Sequence, residues 1–232
     1  METGDLLQAY LDAGLLKENT RTIALAGSGG KTSILYRLAE EYAARGERVA
    51  AATTTRMYKP EHFISDTAQI PLQPPRGSVF FFGKEASAEK IGPPDFLSLL
   101  PARFDRILLE ADGAQRKPLK FPASHEPVLP EFTDALLVVA GLSSLQRPLE
   151  ICCHRAALAA EILGTSGDVP VSSGDLATLL LKGYGDLLRK YPGGVILNQV
   201  DTDAQKKEAA RIAKALSGFL VLIQSLPSVY RK

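Results

Sequence analysis

A glycine-rich segment near the start of the chain has the residue types that phosphate binding requires. It reads Gly27-Ser28-Gly29-Gly30-Lys31-Thr32-Ser33. Glycines let the backbone curl closely around an anion, and successive N–H groups at a helix start present positive partial charge to it. In such a loop the lysine reaches the outer phosphates and the threonine hydroxyl ligates Mg²⁺. The segment therefore predicts a nucleotide site.

The residues around this segment predict the strand and helix that such a loop needs. Ile23 to Ala26 form an apolar run before it, and apolar residues recur at the helical period after it, at Ile34, Leu35, Leu38, Ala39, Tyr42 and Ala43. The spacing is shorter than the full G-x-x-x-x-G-K-[ST] pattern, because Leu25 stands where the first glycine would fall. The alternative interpretation is a glycine-rich turn with an incidental lysine.

Apolar strands and amphipathic helices alternate along the rest of the chain. Strands are predicted at 21–26, 48–53, 78–82, 105–110, 135–140, 194–197 and 219–223. Helices are predicted at 6–16, 31–45, 151–163 and 176–188, and the last of these is expected in two pieces around Gly183 and Gly185. A further helix is predicted to begin after a capping box formed by Thr202 and Gln205. This alternation indicates an α/β, P-loop NTPase-like fold with a mostly parallel sheet and helices on both faces. We expect one nucleotide-binding domain over 1–232, with the N-terminal helix (1–20) packed on its outside.

Two acidic residues lie at the end of the strand predicted at 105–110. In parallel sheets the ligand lies beyond the carboxyl ends of the strands, so Glu110 and Asp112 are candidates for catalysis. A carboxylate there can hold Mg²⁺, directly or through water, or orient an attacking water. The alternative is a pair of solvated acids in a turn, which explains Asp112-Gly113 but not Glu110.

A possible base-reading motif follows the strand predicted at 194–197. Asn198-Gln199-Val200-Asp201 is similar to the Asn-Lys-x-Asp signature of GTP-binding proteins, in which the aspartate accepts two hydrogen bonds from the guanine edge. The alternative is an ordinary strand-to-helix junction, where Asn and Asp are good turn and capping residues. The sequence therefore leaves both GTP and ATP open.

Further polar and basic residues at the strand ends could bind an anionic substrate. If the loop predicted at 114–130 returns over the crevice, its cations would form a clamp for a phosphate or a second anion. The alternative is a solvated basic loop. The candidate substrate residues are Thr54, Arg56, Arg116, Lys117, Lys120 and His125.

The composition excludes several classes of partner. The chain of 232 residues has 27 basic and 26 acidic residues, a net charge of +1, so neither a nucleic acid nor a membrane surface is an expected partner. No apolar run approaches the ~20 residues that span a bilayer. The acidic start at Glu2 and Asp5 is unlike a secretory signal, so we expect a cytoplasmic protein. The two adjacent cysteines, Cys152 and Cys153, exclude a disulfide framework and are expected to pack in the core.

Taken together, these motifs resemble the YqeC family over about residues 22–201. The matching stretches are Gly-Ser-Gly-Gly-Lys-Thr-Ser (27–33), Thr-Thr-Thr-Arg (53–56), Glu-Ala-Asp-Gly-Ala (110–114), Lys-Pro-Leu-Lys (117–120), His-Glu-Pro (125–127) and Leu-Asn-Gln-Val-Asp (197–201). The resemblance implies an accessory protein of selenium-dependent molybdenum hydroxylases. It implies a role in maturing or inserting the cofactor, with a molybdenum hydroxylase or its cofactor as partner.

Three functions follow as hypotheses. The first is a Mg²⁺-dependent NTPase, using GTP or ATP, in which Lys31, Glu110 and Asp112 are catalytic and Thr32 and Glu110 hold the metal. The chain is in this respect similar to metal-insertion GTPases of the SIMIBI class. The second is an ATP-dependent phosphotransferase or ligase on a small anionic substrate, since the short loop is also similar to that of Mur ligases. The third is a non-catalytic carrier of a phosphorylated cofactor.

Overall fold

The structure, a computed structural model, describes residues 5–226. Within that range the strands, in chain order, are β1 (Thr22–Gly27), β2 (Val49–Thr53), β3 (Met57–Tyr58), β4 (Val79–Phe82), β5 (Lys84–Ser87), β6 (Lys90–Gly92), β7 (Arg106–Glu110), β8 (Leu119–Lys120), β9 (Ala135–Gly141), β10 (Cys153–His154), β11 (Gly193–Asn198) and β12 (Val221–Ile223). The helices are α1 (Leu6–Asp12), α2 (Lys31–Ala44), α3 (Leu149–Cys152), α4 (Ala156–Leu163), α5 (Ser173–Lys190) and α6 (Asp203–Ala215).

A seven-stranded parallel sheet forms the centre of the fold, in the order β12-β11-β9-β1-β7-β2-β4. Alternate residues of β1 face opposite sides, as strand geometry requires. Ile23 and Leu25 pack with α1 and α2, whereas Ala24 and Ala26 pack with α5 and α6. Helices thus cover both faces, and the predicted P-loop NTPase-like α/β class is confirmed.

The strand order places the polar strand ends around one crevice. β1 lies between β7 and β9, with Leu25 opposite Glu110 and Gly27 opposite Val139. From β1 the chain proceeds to β2 on one side, and from β9 it proceeds to β11 and β12 on the other. Ligands of open parallel sheets bind at such a change of direction, beyond the carboxyl ends of the strands.

One helix predicted as continuous is interrupted. The prediction of a helix over 151–163 is wrong, because Cys153 and His154 form β10 and pair with β8, and Arg155 adopts a left-handed φ of 65° before α4 begins. Two apolar residues of this region are largely exposed, Ile151 at 53% and Leu158 at 40%. Helical periodicity continued across the break, so it could not reveal a strand of two residues.

The helix predicted in two pieces is continuous. α5 runs from Ser173 to Lys190 through both glycines. Gly183 is needed for close packing and not for a break, since a Cβ there would lie 2.7 Å from Pro122 Cδ. A capping box between Ser172 and Asp175 begins the helix.

Short elements occupy regions for which no strand was predicted. β3, β6 and β5 form a small antiparallel sheet, and β8 pairs with β10 in parallel.

The first helix ends at Asp12 and not at residue 16, and it packs on α2 through the buried Leu7 and Tyr10. The acidic residue Glu2 lies outside the described residues. In the part of the chain that the structure describes, every helix falls short of what a membrane crossing requires.

Candidate functional site

The glycine-rich segment forms a tight loop between β1 and α2. Gly27, Gly29 and Gly30 have φ values of 84°, 89° and 131°, which residues with a Cβ rarely adopt. A Cβ on Gly29 would also collide with Gly141 and lie 2.8 Å from the carbonyl oxygen of Pro118. The loop therefore lets the backbone approach its neighbours closely, and it ends at the amide groups that begin α2.

Lys31 and Asp112 form a buried ion pair beneath this loop. Lys31 Nζ lies 3.0 Å from Asp112 Oδ1 and donates a hydrogen bond of 2.6 Å to the carbonyl oxygen of Gly27. Burial alone would lower the pKa of the Lys31 ammonium, but Asp112 and Glu110 outweigh it and leave that pKa raised. The lysine is therefore a fixed positive charge at the base of the loop.

Thr32 and Glu110 meet beside this pair. The Thr32 hydroxyl donates a hydrogen bond of 2.7 Å to Glu110 Oε2. Burial raises the pKa of Glu110, although Lys31 and the Thr32 hydroxyl partly oppose this. A hydroxyl and a buried carboxylate on adjacent elements are the protein ligands that a Mg²⁺–nucleotide complex uses, because Mg²⁺ takes its other oxygens from phosphates and water. Residues 5–226 contain no cluster of three or more His, Cys, Asp or Glu side chains that could hold a metal ion.

The Asn198–Asp201 segment lies at the opposite end of the cleft from Arg56 along the sheet edge. Asn198 is buried, and its side chain donates to the carbonyl oxygen of Gly29 at 2.8 Å and accepts from the Leu226 amide at 2.9 Å. Asp201 is exposed, and its Oδ1 accepts a hydrogen bond from the Ser225 hydroxyl. Asn198 thus joins the phosphate loop to the last described residues, and Ser225 orients the Asp201 carboxylate.

Two of the predicted substrate lysines are used within the fold. Lys120 Nζ lies 2.8 Å from Glu126 and 3.4 Å from Asp112, and it is buried. Lys117 Nζ donates to two backbone carbonyl oxygens, at 2.7 and 3.0 Å. Burial opposes the ionisation of Glu126, but hydrogen bonds from Arg155 and Lys120 outweigh it and lower the pKa of Glu126 to about 2. These contacts fix the loop that follows β7 to the rest of the site.

The other substrate candidates are in different settings. Arg56, Arg116 and His125 are exposed, and they line the same cleft as the phosphate loop. Thr54 also lines it, but its hydroxyl is engaged with the carbonyl oxygen of Val128 at 2.7 Å. The cleft has a volume of about 960 Å³, and both Asn198 and Asp201 line it as well. The structure therefore brings all the predicted site residues except the buried Gly27, Asp112 and Lys120 to one surface.

Comparison with known proteins agrees with the motifs. The family model described as "YqeC protein" matches residues 23–157. The chain is also 35% identical over 182 residues to the protein described as "Uncharacterized protein YqeC" of Escherichia coli (strain K12). The aligned region covers 73% of this chain and 71% of that protein. The chain belongs to the YqeC family. The resemblance predicted from the sequence is thus confirmed.

In this YqeC family member, sequence reasoning missed several residues of the site. Tyr184 donates a hydrogen bond of 3.3 Å to Asp112 from α5. Neither it nor Ser225 and Tyr58, which line the cleft, was singled out. They come from separate regions of the chain that only the fold brings together. No motif marked any of these three residues, whereas Glu126 was named only as part of the His-Glu-Pro stretch (125–127), with no partner assigned to it.

The adjacent cysteines of this YqeC protein are buried and reduced. Burial raises the pKa of the Cys153 thiol to about 12, and the neighbouring Cys152 adds to the effect. Burial also raises the pKa of Cys152. Both side chains pack in the core, as predicted, and their raised pKa values disfavour the thiolate, which is the reactive form.

Proposed function

We propose that this protein is a Mg²⁺-dependent P-loop NTPase. The observation that carries the proposal is the 2.7 Å contact between the Thr32 hydroxyl and Glu110, beside a buried lysine at the foot of a glycine loop. Thr32 and Glu110 would hold the metal, which when bound offsets the negative charge of the phosphates. The residues present fit that role, since both offer oxygen ligands and, among residues 5–226, no cation lies within salt-bridge distance of Glu110.

The remaining residues act by position and charge. The Lys31 ammonium neutralises charge on the transferring phosphoryl group, and the amides of Gly29 and Gly30 donate to its oxygens. Asp112 holds Lys31 in place and, through its second oxygen, accepts the Gly27 amide at 2.9 Å. Phosphoryl transfer needs mostly positioning and electrostatic stabilisation, which is what this arrangement supplies.

For the base, guanine is favoured over adenine. The Ser225 hydroxyl donates a hydrogen bond to Asp201 Oδ1, whereas Asp201 Oδ2 accepts no hydrogen bond from any residue in the range 5–226. An oriented carboxylate facing a cleft suits the paired N–H donors of the guanine edge, which adenine lacks. Gln199, at the position of the usual lysine, has a left-handed φ of 62°, and its side chain accepts a hydrogen bond from Ser143.

The cellular role follows from the family resemblance alone. We propose that nucleotide turnover assists the maturation or insertion of the cofactor of a selenium-dependent molybdenum hydroxylase. Co-purification with such a hydroxylase that depends on GTP, and that is absent with the Lys31→Ala variant, is the expected result.

Calorimetric titration of non-hydrolysable GTP and ATP analogues with Mg²⁺ tests the nucleotide site. We expect the wild type to bind, and Thr32→Val to lose the contribution of Mg²⁺ while keeping its fold. Absence of binding to the wild type would refute the proposal. Binding with no phosphate release over hours would replace the NTPase with a carrier of a phosphorylated ligand.

A further inference from the structure

Three consecutive threonines, Thr53, Thr54 and Thr55, stand at the carboxyl end of β2. Two of their hydroxyl groups are used within the fold. The Thr53 hydroxyl donates a hydrogen bond of 2.9 Å to the carbonyl oxygen of Glu110. The Thr54 hydroxyl donates one of 2.7 Å to the carbonyl oxygen of Val128. The Thr55 hydroxyl is different, because its oxygen is buried and has no hydrogen-bond partner among residues 5–226.

A buried hydroxyl without a partner has given up its hydrogen bonds to water and gained none in return, so it lowers the stability of the folded protein. The hydroxyl oxygen of Thr133 is in the same situation among the residues that the structure describes. Thr133 does not line the cleft, however, whereas Thr55 does. An unpaired polar atom beside a cleft is the arrangement expected of a group whose partner is the ligand.

Hydrogen bonds of the threonine segment fix Thr55 beside the end of β7. The Thr55 amide donates a hydrogen bond of 3.1 Å to the Thr53 hydroxyl, which itself donates to the carbonyl oxygen of Glu110. The Thr54 amide donates to this same oxygen at 3.1 Å. The side chain of Glu110 accepts from the Thr32 hydroxyl at the proposed metal site. Thr55 is therefore held next to the residue that would bind the metal.

The Thr55 side chain is able to present its hydroxyl to the cleft. The residue is partly exposed, although its hydroxyl oxygen is not. A rotation of about 120° around χ1 exchanges the positions of the hydroxyl and the methyl group of a threonine between staggered minima. This rotation breaks no hydrogen bond of the hydroxyl, because the hydroxyl forms none within residues 5–226. An oxygen of a bound ligand can therefore recruit it at little cost.

The ligand oxygen that suits this position belongs to the terminal phosphate of a nucleotide. In enzymes of phosphoryl transfer the metal ion bridges oxygens of the β- and γ-phosphates. A metal ion held by Thr32 and Glu110 therefore implies γ-phosphate oxygens near the carboxyl end of β7. Asn198 ends β11, which is separated from β7 by β1 and β9. Thr55 is thus on the phosphate side of the cleft and not on the side of the base-reading residues.

We propose that Thr55 recognises the terminal phosphate, so that the protein distinguishes a nucleoside triphosphate from a diphosphate. The inference rests on the proposed function, because it requires a nucleotide whose metal ion is held by Thr32 and Glu110. The Thr55 hydroxyl donates a hydrogen bond to a γ-phosphate oxygen, and such bonds to an ionised acceptor are stronger than neutral ones. A diphosphate lacks this oxygen, so the hydroxyl favours the substrate over the product.

Calorimetric titration of guanosine 5′-(β,γ-imido)triphosphate and of GDP, both with Mg²⁺, tests the proposal. The corresponding adenine nucleotides are titrated in parallel, and the pair that the wild type binds is the one compared. The proteins are the wild type, Thr55→Val, Thr55→Ser and, as the matched control, Thr133→Val, which also removes a buried, unpaired hydroxyl. Valine keeps the shape of threonine without the hydroxyl, and serine keeps the hydroxyl. The Tm of each protein without nucleotide is measured as well.

We expect Thr55→Val to bind the triphosphate analogue about tenfold more weakly, as the loss of one hydrogen bond to a charged group implies, and to bind the diphosphate as the wild type does. Thr55→Ser should keep the wild-type ratio of the two affinities, and Thr133→Val should leave both affinities unchanged. Without nucleotide, both valine variants should have a Tm at least as high as that of the wild type, because each removes an unpaired buried oxygen.

Three results would overturn the inference while leaving the nucleotide site intact. They are an unchanged ratio of the two affinities in Thr55→Val, an equal loss of both affinities in that variant, and a Tm of Thr55→Val below that of the wild type. The last result would mean that the hydroxyl serves the fold. A wild-type protein that binds none of the four nucleotides would overturn the proposed function and this inference with it.

Discussion

Lys31 Nζ and Asp112 Oδ1 lie 3.0 Å apart, and the two side chains are 4% and 0% exposed. Removing two charges from water is costly, and only a close pair with further hydrogen bonds offsets the cost. Here Gly27 supplies both of these bonds, since its carbonyl oxygen accepts from Lys31 and its amide donates to Asp112. The glycine-rich loop is therefore joined to the segment that directly follows β7.

Replacing Lys31 by alanine should lower both the stability of the protein and its affinity for nucleotide, and the two effects can be measured independently. We expect Lys31→Ala to lose nucleotide binding and to lower the free energy of unfolding by about 3 kcal/mol, because the buried Asp112 carboxylate loses its nearer cation and keeps the more distant Lys120. The double variant Lys31→Ala, Asp112→Asn should recover most of the stability but none of the binding. Urea unfolding and calorimetry measure the two effects. Wild-type affinity in a folded Lys31→Ala protein would contradict the role of the lysine.

The raised pKa of Glu110 predicts how stability depends on pH. A carboxyl whose pKa is raised by folding stabilises the protein below its ordinary pKa, and this contribution is lost as the pH rises through the folded value. Ionised Glu110 therefore costs stability at neutral pH when no metal is bound. We expect Glu110→Gln to raise the Tm of the metal-free protein at pH 7, and to have little effect on it at pH 4.

The same group should make metal binding depend on pH. Mg²⁺ binds the ionised carboxylate, so the increase in Tm that Mg²⁺ and nucleotide produce should become smaller as the pH is lowered. Because the pKa of Glu110 is raised, this decrease should begin at a higher pH than it would for an ordinary glutamate. Glu110→Gln should show no such Mg²⁺-dependent increase at any pH. Scanning calorimetry between pH 5 and 8 gives both results, and a Glu110→Gln protein that Mg²⁺ still stabilises would exclude this residue from the metal site.

Base preference should depend on Asp201 and on the serine that orients it. We expect Asp201→Ala to weaken binding of the GTP analogue by at least tenfold and to leave binding of the ATP analogue unchanged. The reason is that a lost charge-assisted hydrogen bond costs about 1.5–3 kcal/mol. Ser225→Ala should show the same selectivity with a smaller loss. Asp203→Ala is the control, because Asp203 is exposed, forms an ion pair with Lys206 and does not line the cleft. Equal binding of both nucleotides by the wild type and by Asp201→Ala would make Asp201 a turn residue and favour an ATP-dependent ligase.

Much of the fold could be predicted because its signals are local. The apolar run before Gly27 and the helical period after Lys31 describe one strand and one helix, and both occur as predicted. The sequence also placed Glu110 at a strand end, where the sheet register now sets it beside Leu25. Pairings of only two residues, such as that of Cys153 with Leu119, have no periodicity to detect.

The site was less predictable because side-chain partners depend on tertiary contacts. Lys120 lies in a segment whose basic composition is typical of an exposed loop, but in the fold its ammonium group contacts Asp112 and Glu126. Tyr58 is separated from Arg116 by more than 50 residues, and only folding brings the guanidinium over the ring. A motif search finds residues that act through a fixed spacing, and neither pair has one.

The two cysteines provide a test of whether thiol chemistry takes part in the function. A pKa of about 12 for Cys153 leaves roughly a thousandfold less thiolate at pH 8 than an ordinary cysteine has. We expect Ellman's reagent to label neither cysteine of the native protein over hours and both at once in urea. Nucleotide should leave this protection unchanged. Rapid labelling of the native protein would mean that a thiol is accessible and ionised, and would point to sulfur or selenium transfer at Cys153 instead of a core packing role.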